Sequence, residues 1–150
     1  MEGRPGCRPV GCRTAGADLS KILLDTTFLI DAERSGDELD DAISDDDEAA
    51  IAAITVAELR VGALLADRKH RADRVAFLDD VLLAIPMLDY DQPAAEAHAE
   101  LLVQVRKQGT RRGAHELIIA ATAMASGRTL LTADEGAFAD LPGVQVRSRR

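Results

Sequence analysis

The stretch Lys21-Ile22-Leu23-Leu24-Asp25-Thr26-Thr27 constrains this chain more than any other. Three consecutive aliphatic residues without polar alternation read as a short strand buried on both faces. The strand stops on an aspartate. In open α/β sheets, ligands gather outside the carboxyl ends of the strands. An acid at that point is badly placed for packing and well placed for chemistry. The rest of the sequence decides whether other acids arrive at the same edge.

Apolar runs and helical patterns alternate along the chain. Strands are expected at 21–25, 49–54, 84–88, 129–132 and 144–146. Between them, helices are expected at 26–33, 37–44, 56–66, 70–83, 92–108 and 114–125, with one or two helical turns at 134–138. Thr55 opens the third of these helices. Asp91 caps the fifth, with Pro93 in its first turn. The helix 114–125 is apolar nearly all round and therefore buried, and Gly127 ends it. Strands alternating with helices imply an α/β fold: a central, mostly parallel sheet of about five short strands with helices on both faces, hence three layers.

The 150 residues suffice for one domain with a real core, and 47% apolar content excludes a disordered chain. Aromatics are only 3%, which argues against a surface that stacks bases on aromatic rings. No apolar run approaches the roughly 20 residues needed to cross a bilayer, so no membrane association is expected. Residues 1–20, rich in Gly, Arg and Pro, read as a flexible leader before a domain at 21–150. Cys7 and Cys12 both fall in that leader and lack nearby metal partners; they read as incidental thiols in a cytoplasmic protein. The net charge is −8. Much of it lies in 37–48, where eight of twelve residues are acidic, a pattern that reads as a solvated helix and loop. Such acidity argues against broad nonspecific nucleic-acid binding but not against an enzyme that acts on nucleic acid.

Parallel topology places three acids on one edge, and a fourth, Glu116, follows a helix and loop rather than a strand. Asp25 ends the first strand. Glu58 lies in the first turn of the helix after the second strand. Asp134 follows the fourth strand by two residues, and Glu116 sits in the first turn of the buried helix. Each has a simpler reading. Asp25 and Asp134 can cap the helices after them, Thr55 and Glu58 can form a capping box, and Glu116 can complement a helix dipole. Together they demand four coincidences. Clustered carboxylates repel unless a cation neutralises them. Hard oxygen ligands suit Mg²⁺ or Mn²⁺, and such ions activate water and clamp phosphate in phosphodiester cleavage.

The sequence resembles the PIN-domain ribonucleases, specifically the VapC-type toxins of bacterial toxin–antitoxin pairs. The resemblance spans about 21–147 and rests on four blocks in order. These are Leu23-Leu24-Asp25-Thr26-Thr27-Phe28-Leu29-Ile30-Asp31, Thr55-Val56-Ala57-Glu58-Leu59-Arg60-Val61-Gly62, Gly113-Ala114-His115-Glu116-Leu117-Ile118-Ile119-Ala120-Ala121, and Leu131-Thr132-Ala133-Asp134 followed by Leu141-Pro142-Gly143-Val144. It implies a PIN-like fold and Mg²⁺- or Mn²⁺-dependent endonucleolytic cleavage of RNA. It also implies a homodimer and inhibition by a small VapB-like antitoxin. By position, Asp25, Glu58, Glu116 and Asp134 match the family's catalytic, metal-binding acids. The third position is usually Asp. Glu116 reaches about 1.5 Å farther, one carbon–carbon bond, so its side chain must fold back, its helix must start farther from an ion, or a water must bridge the gap.

Thr26 and Thr132 sit beside the acids, either orienting carboxylates or capping. Arg111 and Arg112, in the loop before Glu116, are expected to hold RNA phosphates. Asp31 reads as structural. His115 adjoins Glu116 but projects about 100° away on an ideal helix, and no general-base role is expected of it because metal-bound water needs none. Two rivals remain. A noncatalytic PIN-like binding module is favoured by Glu116 alone. A phosphatase or receiver-type acidic pocket lacks the second aspartate expected at Thr27 and a lysine within 127–140.

Overall fold

The computed structural model describes residues 20–36, 41 and 43–148. Five strands form one sheet in the order β3-β2-β1-β4-β5. Every pairing is parallel. Strand β1 (Ser20–Leu24) lies at the centre, between β2 (Asp47–Ala52) and β4 (Thr129–Thr132). Leu24 is in register with Ile51 on one side and Leu131 on the other. The chain departs in opposite directions from β1, so the carboxyl ends of β1 and β4 form the crevice where such sheets bind ligands.

Alternation within the strands divides the core in two. Leu23, Ala50 and Leu130 pack against α4 (Gln92–Gln108) and α5 (Ala114–Ser126), chiefly through Leu101, Leu117 and Ala120. Ile22, Leu24, Ile51 and Leu131 pack on the other face against Phe28 and Leu29 of α1 (Thr26–Ser35), Leu59 of α2 (Ala53–Leu65), and Leu78 and Val81 of α3 (Arg68–Ala84). Burying an aliphatic side chain of this kind contributes about 1.5–3 kcal/mol. The three-layer architecture is therefore the expected one.

Several boundaries differ from expectation. Helix α2 begins at Ala53 directly after β2, so Ile54 is helical and Thr55 lies inside the helix rather than at its cap. The run 49–54 is uniformly apolar, and hydropathy carries no mark of the junction. Strand β3 contracts to Met87–Leu88. Ala84 completes α3, Ile85 caps it, and Pro86, without an N–H, contributes only its carbonyl, which accepts from the Ile51 amide at 3.0 Å. Strand β5 is Val146–Ser148, two residues later than expected, because the turn through Gly143, at φ 80°, consumes Val144 in a bond to the Leu141 carbonyl. Ser20 opens β1 and so belongs to the sheet rather than to the leader. The rest of the leader, with Cys7 and Cys12, lies outside the described residues, as does most of the expected helix at 37–44.

Charged side chains assigned to solvent also hold the fold. Asp47 and Glu48, the end of the acidic run, are strand residues. Asp47 Oδ2 pairs with Arg147 Nη2 at 3.3 Å and Glu48 Oε2 with Arg128 Nη2 at 3.0 Å. Arg128 Nη1 also donates to the carbonyls of Ile22 (3.2 Å) and Glu48 (2.7 Å), joining β1 and β2 at the amino edge of β4. Arg71 donates to the Leu64 and Ala66 carbonyls and Arg74 to that of Gly62, satisfying acceptors at the end of α2. Asp67 caps α3, accepting from the His70 amide at 2.9 Å and lying 2.8 Å from His70 Nδ1. The His70 amide first, then its ring, hold the Asp67 carboxyl below the usual range. The cap is thus intact above the ordinary carboxylate pKa and weakens as pH falls through the lowered one. Among the described residues, no helix is long and apolar enough to cross a membrane.

Replacing Arg128 with Ala strands two strand carbonyls and a carboxylate at the edge of the sheet remote from the acids. A cost of about 2 kcal/mol should lower the melting temperature by about 4–8 °C, readable by circular dichroism; an unchanged melting temperature would show that solvent replaces the guanidinium without loss.

Candidate active site

Asp25 is 3% exposed and stands where β1 ends. Its backbone N–H donates to the Leu131 carbonyl at 2.9 Å, which locks β1 to β4 at this point. Its side chain does not cap α1. Instead Oδ2 accepts from Thr27 Oγ1 at 2.6 Å and from Thr132 Oγ1 at 2.8 Å. Those hydroxyls lie 3.1 Å apart, but each has one proton and gives it to the carboxylate, the stronger acceptor. Their lone pairs are used in turn: the Ala133 amide donates to Thr27 Oγ1 at 3.3 Å and the Asp134 amide to Thr132 Oγ1 at 2.9 Å. The backbone of the fourth acid is thereby tied through two threonines to the carboxylate of the first. Neither threonine bonds Oδ1.

Glu58 projects from α2 to the same edge. With Thr55 inside the helix, the capping-box alternative does not form. Thr26 Oγ1 donates to Glu58 Oε1 at 2.6 Å and lies 3.0 Å from Thr55 Oγ1. His115 Nδ1 lies 2.9 Å from Glu58 Oε2. Glu116, the next residue, folds back over the start of its own helix, one of the three outcomes its extra methylene allows. A Cβ built on Gly113 would sit 1.7 Å from Glu116 Oε1 and 2.8 Å from its Cδ. Asp134 lies between β4 and a 3₁₀ turn (Glu135–Phe138) that its side chain does not cap.

Hydrogen bonds therefore link the elements carrying all four acids. Of the roles open to it, Thr132 takes the bond to the Asp25 carboxylate. Thr26 orients a carboxylate too, but Glu58 rather than its neighbour. Arg112 donates to the carbonyls of Gly136 (3.0 Å), Ala137 (3.3 Å) and Ala139, bracing the turn after Asp134. Arg111 is exposed. Two residues escaped the sequence reading. Thr27 was visible as the second of paired threonines after a strand-ending acid. His115 was judged by its angle to Glu116, whereas its partner belongs to another helix.

The donor chemistry fits a hard divalent cation: four carboxylates, with Oδ1 of the buried Asp25 left by both threonines and Glu116 held by no Cβ at Gly113. As they stand, no three His, Cys, Asp or Glu side chains among the described residues are gathered closely enough to hold an ion together. Like charges at one edge repel unless a cation neutralises them. Beside Glu58 opens a groove of about 930 Å³ between α1, α2 and α3, lined by Ile30, Leu59, Gly62, Arg74 and Phe77.

A profile of the PIN domain matches residues 22–144. The chain is similar to ribonuclease VapC5 of Mycobacterium tuberculosis, with 38% identity over 122 residues, 81% of this chain and 87% of that protein. The crystal structure of VapBC-5, a member of the VapBC family of toxin–antitoxin systems from the same organism, holds a chain that superposes with a TM-score of 0.70 at 34% identity, covering 87% of this chain and 98% of that one. A chain of VapBC2 from Rickettsia felis, bound to a DNA fragment from its promoter, shares the fold with a TM-score of 0.78 at 21% identity, covering 85% and 98%.

Gly113 has φ −66°, which alanine adopts freely, so Gly113→Ala should leave the fold intact while driving the Glu116 carboxylate from its folded-back position. The expected result is a change of at least about threefold in Mn²⁺ affinity by calorimetry that vanishes in a Glu116→Gln background, the non-additivity that contacting residues show. Additive effects of the two substitutions would separate the glycine from the acid.

Proposed function

This chain belongs to the PIN-domain family, and we propose that it is the toxin of a toxin–antitoxin pair, an endoribonuclease that arrests growth or translation by cutting RNA. The observation that carries the reading is a pair of hydrogen-bond sets at the carboxyl edge of a parallel sheet, one tying Asp25 through Thr132 to the backbone of Asp134, the other tying Glu58 to Thr26 and His115. Mg²⁺ or Mn²⁺ is the proposed cofactor, and Asp25, Glu58, Glu116 and Asp134 are the residues that would hold it. When bound, the ion supplies the positive charge that activates water and stabilises the charge developing on the scissile phosphate.

The protein's own groups prepare the site. Thr27 and Thr132 immobilise Asp25 through one oxygen and leave the other for the ion. Thr26 holds Glu58 through Oε1. Rigid carboxylates need little rearrangement as charge develops, the source of most electrostatic catalysis. Water adds to phosphorus as the bond to the 3′ oxygen breaks, leaving a 3′-hydroxyl and a 5′-phosphate. Arg111 holds a substrate phosphate beside the edge. The protein works in the cytoplasm as a homodimer of domains spanning 21–150. A VapB-like antitoxin shields the acids, an inserted arginine pairing with the carboxylates. The rival, a binding module that does not cleave, draws support only from the folded-back Glu116, and cleavage assays decide between the two.

Induced expression should arrest growth, and coexpression with the product of an adjacent small gene should relieve it. Asp25→Asn should abolish both arrest and cleavage in vitro with the circular dichroism spectrum unchanged. Glu116→Asp should retain activity, whereas Glu116→Gln, the same shape without charge, should lose most of it. Wild-type cleavage by Asp25→Asn would remove that residue from the site; cleavage by Glu116→Gln equal to the parent's at limiting metal would reduce the quartet to three.

Arg111→Ala should weaken RNA binding and reduce the slope of log affinity against log salt by about 0.7, the increment for one phosphate contact to a single strand. An unchanged slope in filter-binding titrations would return Arg111 to the solvated surface.

A further inference from the structure

The side chain of His115 sits at the edge without a part in the preceding mechanism. It is 53% exposed, at the second residue of α5, and its Nδ1 lies 2.9 Å from Oε2 of Glu58, which is itself 26% exposed and comes from α2, 57 positions earlier. An ionised carboxylate only accepts, so the shared proton resides on Nδ1 of the imidazole. The opposite oxygen of the same carboxylate accepts from Thr26 at 2.6 Å. Glu58 is thus gripped at both oxygens by side chains from two different elements, α1 and α5, and its plane is fixed. An exposed pair of this kind contributes little to stability. Its effect is orientation, and the carboxylate it orients is one of the four.

We propose that His115 is a positioning residue for Glu58, holding Oε2 through Nδ1 so that the remaining lone pairs of the carboxylate face the cation. The proposal rests on the assignment of Glu58 to the metal site. It also gives α5 two consecutive tasks: His115 sets the carboxylate of α2, while Glu116 supplies its own. Partners that orient a ligand in this way typically govern metal affinity or activity by 10–100-fold.

The chemistry of the side chain supplies the test. Asparagine carries its amide nitrogen one bond beyond Cγ, where histidine carries Nδ1; glutamine places its nitrogen one bond farther, near Nε2. Alanine removes the donor altogether and is a better helix former than histidine, so the helix is not endangered. Mn²⁺ binding to the wild-type protein, His115→Ala, His115→Asn and His115→Gln is measured by calorimetry, with RNA cleavage kinetics alongside. His115→Ala and His115→Gln should bind Mn²⁺ about tenfold more weakly and lose kcat with KM for RNA unchanged. His115→Asn should stay within about threefold of wild type in both. Equal Mn²⁺ affinity in wild type and His115→Ala would overturn the proposal while leaving the acids in place. Tighter binding in His115→Ala would also overturn it, by making the histidine a competitor for the carboxylate. A rise in KM with kcat unchanged would place His115 on the RNA instead. A wild-type protein that binds no Mn²⁺ would remove the metal site and this role together.

Discussion

The grip of two threonine hydroxyls on one oxygen of Asp25 is the contact on which the rest of the edge depends. A carboxylate exposed by only 3% at the end of a strand is costly unless hydrogen bonds compensate it. Thr27, from the first turn of α1, and Thr132, the last residue of β4, provide them. The two donors come from opposite sides of the β1–β4 junction, so they also staple that junction shut. The backbone behind them then follows: the amides of Ala133 and Asp134 complete the hydroxyls, and the main chain at Asp134 is tied to the threonine that holds Asp25. Burial, strand pairing and the course of the main chain at Asp134 are consequences of the same few bonds.

The sequence was most legible where one signal had one meaning. The apolar triplet ending in Asp25 gave the central strand, Asp91 and Pro93 gave the start of α4, and Gly127 gave the end of α5. It was least legible where one signal served two structures. The apolar run through Ile54 covers a strand and a helix start in immediate succession, with no polar residue at the joint. Ile85 is buried as any strand residue would be, yet it is a helix cap before Pro86. The position of β5 depends on how many residues the Gly143 turn consumes, a matter of backbone geometry rather than hydropathy.

Charged and polar side chains were harder still, because a residue type names a capacity rather than a partner. Arg112 braces backbone carbonyls at Gly136, Ala137 and Ala139. Arg128, in no conspicuous cluster, ties β1 to β2. His115 was judged by an angle measured along its own helix, when the carboxylate it meets belongs to α2. Periodicity describes an element relative to itself, and contacts between elements fall outside it. Asp25, Glu58 and Asp134 were easier to place, because parallel topology brings strand ends and the helix starts after them to one edge whatever the loops between them do.

The outermost strands of the sheet are its shortest, two residues in β3 and three in β5. Each therefore presents a mere fragment of unpaired backbone, too little to template a further strand from another chain. Growth of the sheet sideways into ribbons is closed off at both flanks. Among the described residues, association is thereby turned toward helical surfaces, where side chains rather than main-chain ladders decide who is admitted.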